Sequence, residues 1–153
     1  MRYNFTMRKT VTIIAFFIVI VLAGFIGIKE LENGEPAYIE YQTERGKTIR
    51  LYTPQANGTI KSPLVIKGEA RGNWFFEASF PITLVDWDGL IIAESYATAE
   101  GDWMTTEFVP FTATLEFKKP TYKNNGALIL QKDNPSGLPE HDDALEIPIF
   151  FSE

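Results

Sequence analysis

The chain has 153 residues, enough for one ordinary domain with an appendage, and it contains no cysteine. The lack of cysteine excludes disulfides, thiolate metal sites and a cysteine nucleophile. The formal net charge is -6, and it is unevenly spread: Arg2, Arg8 and Lys9 are the only charged residues before Lys29, and all 20 acidic residues follow it. An acidic surface argues against sequence-independent nucleic-acid binding, which needs a clustered basic face, so no nucleic-acid partner is expected.

The first element in chain order is an uncharged, almost wholly apolar run at residues 10–28. Its length is close to the ~20 residues that a helix needs to cross a bilayer, and a buried core helix rarely lacks any polar face over about five turns. Because Arg8 and Lys9 precede the run, the positive-inside rule puts residues 1–9 in the cytoplasm. The sequence therefore predicts a single-pass protein of the cell membrane whose C-terminal domain is extracytoplasmic.

The end of this run leaves the fate of the anchor open. Leu22-Ala23-Gly24 would suit a lipoprotein signal if cysteine followed, but position 25 is Phe, which excludes lipid attachment. The run is longer than the apolar core of a typical secretory signal, and this favours an uncleaved anchor. Cleavage after Gly24 or Gly27 is the alternative.

Residues 29–47 are polar and charged and contain glycine and proline, a composition that predicts a juxtamembrane spacer. Tyr38, Ile39 and Tyr41 within it allow a short additional strand at the start of the domain that follows.

The remaining residues, 48–153, form alternating apolar and polar runs separated by turn residues. Alternation at period two is what a half-buried strand requires, since successive side chains point to opposite faces. Asp88-Gly89 predicts a tight type I′ hairpin, and Pro148 predicts that the last strand lies at an edge or pairs on one side only. Seven strands are predicted, at residues 49–52, 64–70, 76–84, 90–97, 109–117, 127–132 and 144–151.

Seven short strands at this spacing, each with one apolar face, predict an all-β fold. We expect two packed antiparallel sheets, an immunoglobulin-like β-sandwich over residues 48–153. With no disulfide available, its stability must come from the Phe-rich interior, in which Phe111 is an expected member.

A series of motifs in this region resembles a known family. The motifs are Thr53-Pro54, Gly58, Ser62-Pro63-Leu64-Val65-Ile66-Lys67-Gly68-Glu69-Ala70, Phe76-Glu77, Leu84-Val85-Asp86-Trp87-Asp88-Gly89, Phe111 with Leu115 and Phe117, and Ile147-Pro148-Ile149. Over about residues 49–151 this order resembles the immunoglobulin-like domain of bacterial spore germination proteins. The resemblance implies an extracytoplasmic sandwich module of the bacterial envelope, and it implies no catalytic residues.

Three carboxylates are candidates for a Ca²⁺ site, because Ca²⁺ takes oxygen ligands in flexible geometry: Asp86, Asp88 and Asp102. The alternative, which we favour, is that Asp86 caps the hairpin through backbone N–H groups and Asp88 supplies its turn. No cofactor is therefore expected.

Catalysis has little support in the sequence. His141 is the only histidine, cysteine is absent and no Gly-x-Ser-x-Gly motif occurs, so the usual nucleophile-plus-base arrangements are not expected. A carboxylate-based hydrolase is a distant alternative, since two acids can hydrolyse a glycoside. His141 is interpreted as a loop residue.

Trp74 and Phe75 are the candidate binding residues. They follow the turn Arg71-Gly72-Asn73 and are expected at a sheet end, partly exposed, where aromatic rings can bind sugars or partner side chains. The alternative is that Trp74 covers the end of the core.

These observations favour a non-catalytic, membrane-anchored binding or scaffolding module that contacts an envelope protein or a cell-wall polymer. The alternative is a structural accessory subunit of a membrane complex.

Overall fold

A computed structural model describes residues 37–152 of the chain. In this range nine strands form one continuous hydrogen-bonded sheet, in the order β1-β2-β4-β7-β6-β5-β8-β9-β3. The strands are β1 (Ile39–Gln42), β2 (Thr48–Thr53), β3 (Gly58–Ile60), β4 (Leu64–Arg71), β5 (Ser79–Asp86), β6 (Ile91–Ala99), β7 (Phe108–Leu115), β8 (Asn125–Gln131) and β9 (Ala144–Phe151). Two short 3₁₀ helices lie at Gly72–Trp74 and Pro139–His141.

The sheet curls until its two halves face each other across one apolar core. β6 and β7 join the halves through only two residue pairs, Thr98 with Thr112 and Ala99 with Phe111. Across the interior, Phe80 of β5 meets Phe111 of β7 with ring centres 4.9 Å apart, edge to face. In β4, β7 and β9 inward and outward residues alternate as the sequence predicts.

The all-β prediction is confirmed, but one curled sheet is found where two separate sheets were expected, and the strand count is corrected. The two strands beyond the predicted seven are β1 and β3. β1 lies in the predicted spacer, at the position that Tyr38, Ile39 and Tyr41 allowed, so folded structure begins before the predicted boundary at residue 48. β3 pairs in parallel with β9, so the sheet is not wholly antiparallel.

Arg50 helps to hold β1 against the rest of the sheet. Its Nε atom donates to Glu40 of β1 at 3.0 Å, and its Nη1 atom donates to Glu69 of β4 at 3.1 Å. Its partial burial lowers its pKa, but the hydrogen bonds to Glu69 and Glu40, together with the charges of Tyr38 and Glu69, outweigh this effect, and the pKa of Arg50 lies above its ordinary value. The guanidinium also lies 3.8 Å above the ring of Phe108.

The β5–β6 hairpin differs from the predicted type I′ turn. Asp86 N–H donates to Leu90 O, and Gly89 N–H donates to Asp86 O, which leaves three connecting residues rather than two. Gly89 has φ +79°, the left-handed conformation that closes a three-residue hairpin after a type I turn. The Asp-Gly pair therefore makes a hairpin, but in a different register.

The predicted strand at 76–84 begins later than its alternation suggested. Phe76 and Ser79 exchange two backbone hydrogen bonds, and Glu77 and Ala78 between them both have positive φ, the arrangement of a type I′ turn. β5 therefore starts at Ser79, and Phe76, expected to face inward, is exposed. The apolar alternation runs through a turn by coincidence.

The edge position predicted for the last strand is wrong, because β9 has neighbours on both sides, β8 and β3. Pro148 is tolerated because the parallel ladder with β3 begins only at Ile149. At Pro148 itself the contact with the segment before β3 uses the carbonyl oxygen, which accepts a hydrogen bond from Asn57 N–H.

The predicted anchor at 10–28, the cytoplasmic residues 1–9 and the spacer before residue 37 lie outside the described residues. Among residues 37–152, no helix combines the length and apolar character needed to cross a membrane.

The strand registers define two ends of the domain. The hairpin end contains the β5–β6 connection and the segments 61–63 and 116–124. Leu64, at the start of β4, pairs with Leu115, at the end of β7, and Asp86, at the end of β5, pairs with Gly126, near the start of β8. The loop end contains the segments 43–47, 72–78, 100–107 and 132–143, which adjoin the opposite ends of the same strands.

Candidate binding surfaces at the two ends of the domain

Trp74 and Phe75 lie at the loop end, as expected, but they are buried. Their residues are only 3% and 4% exposed. Both rings pack edge-on against Phe80, with centroid distances of 6.2 Å and 5.2 Å. The expected partial exposure is therefore wrong, and the alternative interpretation, that Trp74 covers the end of the core, describes the structure.

A cleft of about 400 Å³ with a mixed polar and apolar lining lies beside this aromatic lid. Its lining residues are Gly46, Lys47, Thr48, Arg71, Asn73, Trp74 and Thr106. Arg71 is positioned by a hydrogen bond from Nη1 to Thr106 O at 3.1 Å and by stacking on Phe108 at 4.0 Å, and its Nη1 atom also forms an exposed ion pair with Glu107 at 3.5 Å. Two cations and several hydrogen-bond donors thus face a cleft suited to groups rich in acceptor oxygens.

Trp74 also carries an unpaired buried donor. Within residues 37–152, its Nε1 atom is the buried side-chain polar atom that lacks a hydrogen-bond partner. A buried N–H without a partner costs ~1–3 kcal/mol, so the unpaired Nε1–H lowers the stability of the folded domain.

The three candidate Ca²⁺ ligands are not brought together. Asp86 Oδ1 accepts hydrogen bonds from the N–H groups of Asp88 and Leu90 at the hairpin end, both at 2.9 Å. Asp102 lies at the loop end, where its carboxylate accepts from Met104 N–H at 3.0 Å. Among the described residues, no three carboxylates or histidines are grouped for a metal ion. The capping role favoured for Asp86 is confirmed.

His141 belongs to an exposed loop, as interpreted. Its Nδ1 atom lies 3.1 Å from Ser136 Oγ. That hydroxyl also donates to Asn134 Oδ1 and accepts from Leu138 N–H, so it is engaged within the loop's own turns. The contact shapes the loop between β8 and β9.

A second surface, at the hairpin end, was missed by sequence reasoning. Trp87 meets Tyr122 edge to face with ring centres 5.4 Å apart, and Lys123 Nζ lies 3.8 Å from the Trp87 ring centre. Leu90 and Ile91, which follow Trp87 in the chain, are also exposed. We call these five residues the aromatic patch. No local motif predicts it, because its two halves come from separate connections.

Comparison with known proteins gives one positive finding. The family model described as the immunoglobulin-like domain of bacterial spore germination matches residues 48–137, which is more than half of the chain. No curated protein and no solved structure showed a significant match. The matched segment runs from β2 to the loop after β8 and contains the strands that form most of the core. The resemblance of the sequence is thus confirmed, and the chain belongs to the family of immunoglobulin-like domains of bacterial spore germination.

Proposed function

We propose that this chain is a membrane-anchored, extracytoplasmic and non-catalytic binding module of the bacterial envelope. The apolar run at 10–28, preceded by Arg8 and Lys9, supports the anchor and its orientation. Family membership supports an immunoglobulin-like module. The loop end is then the part that contacts an envelope protein or a cell-wall polymer.

The observation that carries this proposal is the cleft beside Trp74. The cleft lies at the end of the domain where the sequence predicted the binding site. The groups available for contact are Lys47, Arg71 and Asn73, whereas the predicted rings of Trp74 and Phe75 are buried. The side chains of these three residues are exposed, while the backbone around them is fixed by β2, β4 and the 3₁₀ helix. Exposed polar groups on a rigid frame suit recognition, because little ordering is needed on binding.

The charges of the loop end indicate which chemical groups a partner can present to the cleft. The loop end carries nine acidic and four basic residues, namely Glu44, Glu77, Glu100, Asp102, Glu107, Asp133, Glu140, Asp142 and Asp143 against Arg45, Lys47, Arg71 and Lys132. A long polyanion is repelled by this surface. Isolated carboxylate or carbonyl groups, as on a protein surface or a wall peptide, fit the two cations of the cleft.

The test is capture by the full-length chain in detergent, with isolated cell walls and a solubilised membrane fraction as separate baits. The variants are Lys47→Ala and Asn73→Ala, which remove cleft groups. The matched control is Lys67→Ala, which removes an exposed lysine from the middle of β4. Weaker capture by the cleft variants alone supports the proposal, and equal capture by all three overturns the site.

The structural accessory role is separated by the same experiment. An accessory subunit that assembles through its helix and spacer would be captured by the membrane fraction regardless of the cleft variants, and it would not bind isolated walls.

A further inference from the structure

The aromatic patch places several large apolar side chains in solvent at the hairpin end of the described domain. Trp87 is 38% exposed, Leu90 66%, Ile91 52% and Tyr122 64%. All four belong to the β5–β6 connection, to the start of β6 or to the β7–β8 connection, so they lie at one end of the sandwich. Large apolar side chains gathered at the tip of an otherwise acidic domain indicate an interaction surface.

The charges of the domain are divided between its ends. Within residues 37–152 the hairpin end carries four lysines and three acids, namely Lys61, Lys118, Lys119 and Lys123 against Asp86, Asp88 and Glu116. The loop end, by contrast, has five more acids than bases. Among the described residues, the hairpin end is therefore less strongly repelled by an anionic surface than the loop end is.

The direction of β1 relates this end to the predicted anchor. β1 runs from Ile39, opposite Leu51, to Gln42, opposite Thr48, and Leu51 is paired in turn with Gly68 of β4. Since β4 runs from the hairpin end to the loop end, β1 also runs towards the loop end. The chain thus approaches β1 from the side of the hairpin end.

The length of chain before β1 allows contact with the bilayer. Ile39 is level with Gly68, four residues from Leu64, or about 13 Å from the start of β4. The eleven residues from 28 to 39 span at most about 36–40 Å. The hairpin end can therefore reach a membrane in which residues 10–28 are embedded.

We propose that the hairpin end docks on the outer surface of the lipid bilayer, with the aromatic patch in the interface and the loop end facing away. The orientation rests on the proposed membrane anchor. Trp and Tyr rings favour the headgroup region because each has an apolar body and a polar group. Leu90 and Ile91 enter the acyl boundary, while the lysines remain at the level of the anionic headgroups.

A lipid surface explains the composition of the patch better than a sugar does. A glycan platform needs flat aromatic faces, yet the Trp87 face is partly covered by Lys123 and its edge by Tyr122. Two exposed aliphatic side chains beside the rings add nothing to sugar stacking. They do add apolar area for a bilayer.

The experiment uses the full-length chain reconstituted in vesicles of phosphatidylcholine and phosphatidylglycerol, with and without brominated acyl chains. Brominated lipid quenches tryptophan at the membrane, and the Trp87→Phe variant isolates the share of Trp87 among the three tryptophans. We expect clear quenching that disappears in Trp87→Phe. Flotation with the vesicles reports the anchor independently.

Two matched pairs of variants test the patch. Tyr122→Ser and Leu90→Ser should reduce the quenching several-fold. Tyr96→Ser and Met104→Ser, which alter equally exposed residues away from the hairpin end, should leave it unchanged. Circular dichroism confirms that each variant is folded, and a variant that unfolds is replaced by Lys118→Gln with Lys119→Gln, for which we also expect weaker quenching.

The outcomes separate the two proposals. Flotation without quenching of Trp87 overturns the docking and leaves the anchor. Absence of flotation overturns both. A change in Trp87 emission on binding of a soluble muramyl glycan, with no quenching by brominated lipid, overturns the docking and indicates a wall ligand.

Discussion

The Nζ atom of Lys123 lies 3.8 Å from the centre of the Trp87 indole ring, and Tyr122 packs against the same indole at 5.4 Å. This contact ties the β7–β8 connection to the β5–β6 hairpin, two segments separated in sequence by two strands. The contact holds these two connections together at the hairpin end, and no sequence motif predicts it.

The Lys123–Trp87 contact predicts a small stability effect. Lys123→Gln removes the cation over the ring, and because the site is exposed we expect a loss of ~0.5–1 kcal/mol in the free energy of unfolding. Chemical denaturation measures it. Lys118→Gln, in the same segment, serves as control and should change the value by less than about 0.5 kcal/mol. Equal effects would show that the ring contact contributes nothing.

Removal of the Phe111 ring from the core is predicted to be costly. It is 1% exposed and meets Phe80 across the interior, so Phe111→Ala leaves a cavity and should cost ~3–5 kcal/mol. Phe76→Ala is the control, since that ring is 42% exposed, and it should cost less than about 1 kcal/mol. A double-mutant cycle with Phe80 measures their coupling.

Asp86 is predicted to stabilise the hairpin without metal. Its Oδ1 atom accepts two backbone hydrogen bonds, and Asp86→Ala should cost ~1 kcal/mol or somewhat more, because both N–H groups lose their acceptor. Asp88→Ala retains the backbone N–H that Asp86 accepts from and should be nearly neutral. If Asp88→Ala proves as damaging as Asp86→Ala, the capping explanation is wrong.

Two substitutions of Trp74 are expected to differ in their effect on the stability of the domain. Trp74→Ala empties a buried site and should cost ~3–5 kcal/mol. Trp74→Phe keeps an aromatic ring and removes the unpaired Nε1–H, so its cost should be much smaller. Thermal unfolding of both variants decides the point; similar losses would indicate that Nε1 has a partner in solution, such as an ordered water.

The orientation of the chain is predicted by its basic residues before the apolar run. Protease added to intact spheroplasts should remove the domain that follows residue 36, because that domain is expected outside the cell. A cytoplasmic marker protein serves as control for leakage. Protection of the domain from the protease would contradict the orientation.

Much of the fold follows from local patterns. The alternation in β4, β7 and β9 gives both the strands and their buried faces, because a pleated strand has only two sides. The capping role of Asp86 also follows locally, since its carboxylate acts on N–H groups two and four residues away.

Where the prediction from sequence was wrong, the observed structure depends on a contact between distant segments or on the backbone conformation of a turn. The alternation through Phe76 gave no sign of the turn at Glu77 and Ala78, which bends the chain so that Trp74 and Phe75 both close the core. Pro148 predicted an edge strand, but β9 has β3 as a second neighbour. β3 pairs with β9 only from Ile149 onwards, beyond the residue that lacks a backbone N–H.

The class of the fold and the faces of the strands follow from the sequence, because both depend on residue spacing within single segments, and the family follows from the order of motifs along the chain. The tertiary structure alone decided what lies at the two ends: a cleft of Lys47, Arg71 and Asn73 beside a buried Trp74, and Trp87 beneath Lys123. Such sites combine side chains from connections far apart in the chain, and their proximity is set by strand order and curl, which no local pattern encodes.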